Sequence, residues 1–246
     1  MFVIDTERLL AGDLIELDGD EGRHAAVVRR IRPGEHIELT DGVGRVALAR
    51  VVDTHNSGLT CEVQERRDVD RPAPHLTVVQ ALPKGDRGEL AVEVMTEVGV
   101  DRVVPWAASR CITQWRGDRG HKALRKWRST AREAAKQSGR AWFPDVTELA
   151  GTDAVTRRLA TAGLALVLHE SAHEPLAAVD VPAAGDVVVV VGPEGGIDDG
   201  ELGAFIDAGA RAVRLGPTVL RTSTAGVVAA GVLLSRTARW NSDLTG

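Results

Sequence analysis

Residues 186–192 read "DVVVVVG", five consecutive valines stopped by a glycine. Such a run has no polar alternation, so neither of its faces suits water. β-Branched side chains favour a strand, and a strand buried on both faces belongs to a parallel sheet covered by helices. Four further stretches have the same character: "HLTVVQAL" (75–82), "DRVVPWAA" (101–108), "LALVLHE" (164–170) and "RAVRLG" (211–216). Helical spacing of apolar residues fills the intervals, in "GELAVEVMTEVGV" (88–100), "HKALRKWRSTAREAAKQSG" (121–139), "DDGELGAFIDAG" (198–209) and "TAGVVAAGVLLSRTARW" (224–240). Alternating strands and helices predict an α/β fold with a parallel sheet. Ligands of such sheets bind beyond the C-terminal ends of the strands.

The first 70 residues have another rhythm. "DLIELDG" and "HIELTDGVGRVALARVVD" alternate apolar and polar residues about Asp41-Gly42 and Val43-Gly44, which is a hairpin signal. "EGRHAAVVRRIRPGE" between them predicts one short helix, and "LTCEVQERR" another strand. The polar, twice-prolyl "DVDRPAPH" (68–75) reads as a linker. The expected division is a small β-rich domain over 1–72 and an α/β domain over 73–246.

With 43% apolar and 26% charged residues, the chain has the balance of a globular protein. No apolar run is long enough to span a membrane, and the N-terminus lacks the pattern of a secretion signal. Cys61 and Cys111 are too few and too far apart for a disulfide framework or a zinc knuckle. Both are expected to be reduced, in a cytoplasmic protein.

The net charge of −5 is unevenly spread: residues 110–140 hold ten Lys or Arg and two acids. An acidic chain that concentrates cations in one segment suits a polyanionic partner, although a solvated helix face fits the same charge pattern. The expected phosphate contacts are Arg110, Arg116, Arg119, Lys122, Arg125, Lys126, Arg128, Arg132 and Arg140. Lys84 and Arg87 join them, and Arg23, Arg29, Arg30 and Arg32 extend the track into the first domain.

"GPEGG" (192–196) ends the valine strand and precedes a helix, with Asp198 and Glu201 spaced as a capping box. Its glycines let backbone groups approach a ligand closely. No Gly-Lys-Ser/Thr follows and G-x-G-x-x-G is absent, so neither nucleotide-phosphate motif fits. Glu194 and the acids behind it favour a ligand of little negative charge. A tight turn that merely needs glycines is the competing reading. "HESAH" (169–173) matches the zinc-protease pattern in form only, because His169 ends an apparent strand and Pro175 follows closely. No metal site is expected there.

"PKGDR" (83–87), "TEVGVDRVVP" (96–105), "SRC" (109–111), "QSGR" (137–140), "LHE" (168–170), "VGPEGGIDDGEL" (191–202) and "LGPTVLRTSTA" (215–225) occur in this order. Together they resemble the bacterial small-subunit ribosomal RNA uridine-N3 methyltransferases of the SPOUT class. "GRHAAVVRRIRPGEHIELTDGVG" is similar to that family's PUA-like RNA-binding domain. The resemblance covers nearly the whole chain. It implies a C-terminal trefoil knot, a homodimer, S-adenosylmethionine (SAM) as cofactor, and 16S rRNA or the small ribosomal subunit as partner.

Carried over by position, the cofactor residues are Leu168, His169 and Glu170 in one loop and Gly192, Pro193, Glu194, Gly195 and Gly196 in a second. The third loop contributes Leu215, Gly216, Val219, Leu220 and Arg221. Arg221 is the candidate for stabilising charge on uracil, and Glu194 the candidate base. This chain reads "LRTSTA" where relatives usually read "LRAETA", so Ser223 replaces an acid. Rival readings are another SPOUT reaction on a ribose or a tRNA base, a non-catalytic RNA-binding assembly factor, and a zinc hydrolase.

Overall fold

The computed structural model describes residues 1–241; the last five residues of the expected second domain lie outside the described residues. Two compact units are present. One comprises Met1–Arg71 with Ala135–Phe143, and the other Pro72–Ala134 with Pro144–Gly246.

The first unit contains β1 (Phe2–Val3), α1 (Thr6–Leu10), β2 (Leu14–Leu17), α2 (Gly19–Arg23), a π-helical turn His24–Val28, β3 (His36–Thr40), β4 (Arg45–His55) and β5 (Gly58–Asp68). Its five strands lie in the order β1-β3-β4-β5-β2. Alternation in β4 sends Ala47, Ala49 and Val51 into a core with Leu39, Leu59 and Cys61. The β3–β4 hairpin turns at 41–44, where the Asp41 carboxylate accepts the amides of Val43 at 2.9 Å and Arg45 at 3.1 Å. Burial alone would raise the Asp41 pKa, but these amides, the Thr6 hydroxyl and the Arg45 guanidinium hold it below the usual carboxylate range.

The second unit contains β6 (His75–Ala81), α3 (Arg87–Val98), β7 (Arg102–Trp106), α4 (Gly117–Gln137), β8 (Asp145–Val146), α5 (Thr152–Ala160), β9 (Leu164–Leu168), β10 (Glu174–Pro175), β11 (Asp186–Val191), α6 (Asp199–Asp207), β12 (Arg211–Arg214), α7 (Thr222–Leu234) and α8 (Ala238–Asn241). Its seven strands run β10-β12-β9-β11-β6-β7-β8, and every pairing is parallel. The valine strand β11 is central, between β9 and β6. Val187 to Val191 are all buried, as a strand with neighbours on both sides and helices on both faces requires.

Helix α4 begins four residues earlier than the sequence pattern suggests. Its apolar stripe of Leu124, Trp127, Ala131, Ala134 and Ala135 is buried. Trp127 lies so close to Gly88 of α3 that a Cβ there would stand 2.7 Å from its ring, and Trp115 meets Trp127 edge-on at 4.8 Å. The end of α4 and the turn after it belong to the first unit. There Lys136 pairs with Glu21 at 2.7 Å, and the Trp142 indole donates to the Val69 carbonyl at 2.8 Å. Helix α5 and the two-residue strands β8 and β10 have no counterpart in the sequence reading.

Both cysteines are buried. Burial, aided by Glu16, pushes the Cys61 thiol up to about 11, and burial pushes the Cys111 thiol up as well. Thiolates are the reactive species. Ellman's reagent at neutral pH is therefore expected to find no fast-reacting thiol in the native protein and both after denaturation. Rapid native labelling would contradict this burial.

Candidate active site

The C-terminal ends of β9, β11 and β12 open onto one cleft of about 400 Å³. Three loops form it. Leu168, His169 and Glu170 follow β9; Gly192, Pro193, Glu194 and Gly196 follow β11; Leu215, Gly216, Val219, Leu220 and Arg221 follow β12. Twelve of the thirteen expected cofactor positions thus line it. Gly195 does not: it turns outward, where a Cβ would lie 3.2 Å from the Cβ of Arg110. Arg214, Pro217 and Thr218 line the cleft without having been singled out in the sequence.

The second loop is held from behind. Asp198 caps α6 by accepting the Gly200 amide at 3.0 Å, and Glu201 completes the capping box. Glu201 is buried and also accepts the Ser109 amide at 2.9 Å, the Ser109 hydroxyl at 3.1 Å and the Thr152 hydroxyl at 2.8 Å. One carboxylate so fixes the start of α6, the loop after β7 and the start of α5. Gly196, at φ 76°, makes the turn that a side chain would strain.

The third loop is anchored by a residue the sequence reading passed over. Gln80, fully buried in β6, donates from Nε2 to the Ala81 carbonyl at 3.0 Å and the Thr222 carbonyl at 3.2 Å. A glutamine inside the apolar run "HLTVVQAL" was the available signal, because a buried amide needs partners. Ser223 is buried in the first turn of α7 and does not line the cleft.

Of the two catalytic candidates, Arg221 is exposed and lines the cleft. Glu194 also lines it, with Oε1 accepting the Lys84 amide at 3.1 Å. His169 follows strand β9 in a turn where its Nδ1 meets the Ser171 hydroxyl at 2.8 Å, so His169 and His173 do not share a helix face. Among the described residues no cluster of His, Cys, Asp and Glu is suited to a metal ion, and no helix is long and apolar enough to cross a membrane.

The cationic candidates divide by their partners. Arg87, Arg116, Arg119, Lys122, Arg125 and Arg132 are exposed, and no ion pair is found for them among the described residues. Lys126 pairs with Glu89 at 3.2 Å, and Arg128 donates to the Val146 carbonyl and the Glu148 carboxylate, both at 2.9 Å. Arg110 braces the second cleft loop through Asp198 at 3.3 Å. In the first unit Arg23, Arg29, Arg30 and Arg32 are exposed, while Arg140 is half-buried and donates to the Trp142 carbonyl at 3.0 Å.

The second unit thus joins a three-loop cleft at the ends of parallel strands with an α4 whose exposed cations include several that have no ion pair among the described residues. The chain belongs to the RNA methyltransferase family: the RNA methyltransferase domain matches residues 70–234, and the RNA methyltransferase PUA domain matches residues 17–64. It is 49% identical over 236 residues to the Ribosomal RNA small subunit methyltransferase E of Mycobacterium tuberculosis, covering 94% of this chain and 90% of that protein. The protein of the same name from Bacillus subtilis is 26% identical, with 92% of each chain covered. Among solved structures, Ribosomal RNA small subunit methyltransferase E from Neisseria gonorrhoeae, bound to S-adenosyl methionine, superposes with a TM-score of 0.83 at 28% identity over 95% of this chain and 96% of that one. A Legionella pneumophila methyltransferase with bound SAM gives 0.82 at 28% identity, over 92% of this chain and 93% of that one.

Proposed function

We propose that this protein methylates N3 of a uridine in small-subunit rRNA, with SAM as donor, working in the cytoplasm as a homodimer whose second domain carries the SPOUT knot. The observation that carries the reading is the cleft itself. Its volume lies within the range of small-molecule sites. Its lining combines apolar side chains and glycine backbone with two acids, Glu170 and Glu194, and two guanidiniums, Arg214 and Arg221. The two carboxylates suit a ligand bearing a sulfonium and an ammonium group, and the two guanidiniums suit the carboxylate that SAM also carries.

When bound, SAM supplies a methyl group already activated by its positive sulfur, so no metal is needed. The protein's task is to bind, align and manage one proton. Leu168, Leu215 and Leu220 offer apolar contact for an adenosine moiety, while the glycine turns offer backbone donors and acceptors. Alignment of two reactants in one cleft can account for roughly 7–11 kcal/mol of a barrier in favourable cases. The uracil N3 must lose its proton to become nucleophilic, and a nearby guanidinium favours the anion. Arg221, exposed at the cleft, is our candidate for that role. With Ser223 buried and no acid at that position, the N3 proton passes to solvent water at the mouth of the cleft as the uridinate forms.

The homodimer reading draws support from α7, which is apolar on all sides yet leaves Val228 exposed, and from Val219, 80% exposed in the third loop. We assign residues 1–72 to a PUA-like RNA-binding domain, with Arg23, Arg29, Arg30 and Arg32 as its phosphate contacts. Nucleoside mass spectrometry of rRNA tests the whole reading: cells lacking the gene should lack one 3-methyluridine, restored by the wild-type protein. Arg221→Ala should lower turnover by about 10²-fold, the usual scale for one electrostatic donor. Unchanged turnover at normal SAM affinity would remove Arg221 from the mechanism.

A further inference from the structure

The turn between β11 and α6 has two sides. Its inner side lines the cleft through Gly192, Pro193, Glu194 and Gly196. Its outer side receives two loops that bear cations. The loop after β6 docks through the Lys84 amide, which donates to Glu194 Oε1 at 3.1 Å. The loop after β7 docks through Arg110, whose Nη1 donates to the carbonyls of Gly195 at 3.5 Å and Ile197 at 3.4 Å. Backbone fit reinforces this second contact, because the Arg110 carbonyl lies 3.3 Å from where a Cβ on Gly195 would stand. The two cationic loops are also tied to each other, since the Thr113 hydroxyl donates to the Pro83 carbonyl at 2.7 Å.

We propose that this turn couples the cofactor cleft to the RNA-binding loops, with Glu194 and Arg110 as positioning residues rather than as base and phosphate contact. The proposal rests on the methyltransferase reading and deepens it. The Lys84–Glu194 and Arg110–Gly195 bonds tie the turn and both loops to one geometry, so a ligand that favours this geometry on one side favours it on the other. Whichever ligand binds first therefore favours the other, and linkage makes the two effects equal. The bond from Lys84 requires only an acceptor oxygen at position 194. A glutamine supplies one but cannot serve as a base, so the two roles of Glu194 separate cleanly.

The test is calorimetric titration of S-adenosylhomocysteine with and without in vitro transcribed small-subunit rRNA. In the wild type, rRNA should tighten S-adenosylhomocysteine binding by about 5- to 10-fold, at the lower end of measured couplings. Glu194→Ala and Arg110→Ala should each bring that ratio close to one, and Glu194→Gln should restore it to within about twofold of wild type. A ratio of one in a wild-type protein that methylates rRNA overturns the coupling alone. So does a ratio untouched by both alanine variants, or a Gln variant that loses it as Ala does. A wild type that binds no S-adenosylhomocysteine overturns both the coupling and the methyltransferase reading.

Discussion

Replacing Arg119, Lys122 and Arg125 together by glutamine is expected to weaken binding to small-subunit rRNA by roughly two orders of magnitude at low salt, since each phosphate contact carries its own counterion release. The three lie on α4, are exposed, and have no ion pair among the described residues, so their charge is available to a partner. The slope of log affinity against log salt should become shallower by about 2 to 3, close to one for each cation removed. S-Adenosylhomocysteine affinity in the absence of RNA and the melting temperature should not move, because none of the three lines the cleft or packs in the core. The comparison that decides the matter is Arg128→Gln. That guanidinium is engaged by Val146 and Glu148, so its loss should lower stability and leave the salt slope nearly unchanged. If Arg128→Gln flattens the slope as much as the triple variant does, α4 acts through general charge and not through its free cations.

The division between free and engaged cations shows where sequence reasoning stops. The high cation density of 110–140 is plain in the chain, but Glu89, Val146, Glu148 and Asp198 lie elsewhere in it, and only folding brings them to Lys126, Arg128 and Arg110. The strands show the same split. A run of five valines can satisfy neither face with water, so β11 was legible as a buried parallel strand. Its place between β9 and β6 was not, because periodicity fixes which faces are buried and leaves the lateral order open. The two-residue strands β8 and β10 are too short for any periodicity to register. In α4 the apolar stripe continues without a break, so nothing local marks Ala135 as the residue where the helix passes to the first unit. The cleft loops were legible because their motifs stand in a fixed order. Gly195 was assigned to the cleft with its neighbours, and only the outward turn of the backbone sets it against Arg110.

Asp101→Ala is expected to destabilise the second unit by about 3–5 kcal/mol, the usual cost of leaving one member of a buried ion pair uncompensated. Asp101 and Arg239 form a bidentate pair, with Oδ2 to Nη1 at 2.6 Å and Oδ1 to Nη2 at 3.2 Å, and their side chains are 6% and 10% exposed. Further hydrogen bonds surround the pair. Asp101 accepts the Leu76 amide at 2.8 Å, while Arg239 donates to the carbonyls of Pro74 at 3.0 Å and Gly99 at 2.7 Å. The pair therefore ties α8 to the start of β6 and to the turn that ends α3, although its two residues are far apart in sequence. Arg239→Ala should cost about as much as Asp101→Ala, because it strands the carboxylate where Asp101→Ala strands the guanidinium. The double variant strands neither, so its cost should fall well short of the sum, by about 1–3 kcal/mol in a double-mutant cycle. Urea denaturation followed by tryptophan fluorescence measures all four proteins, and Trp106, Trp115, Trp127 and Trp240 report on this unit. Strict additivity would mean that the charges act independently and that α8 is held by packing alone.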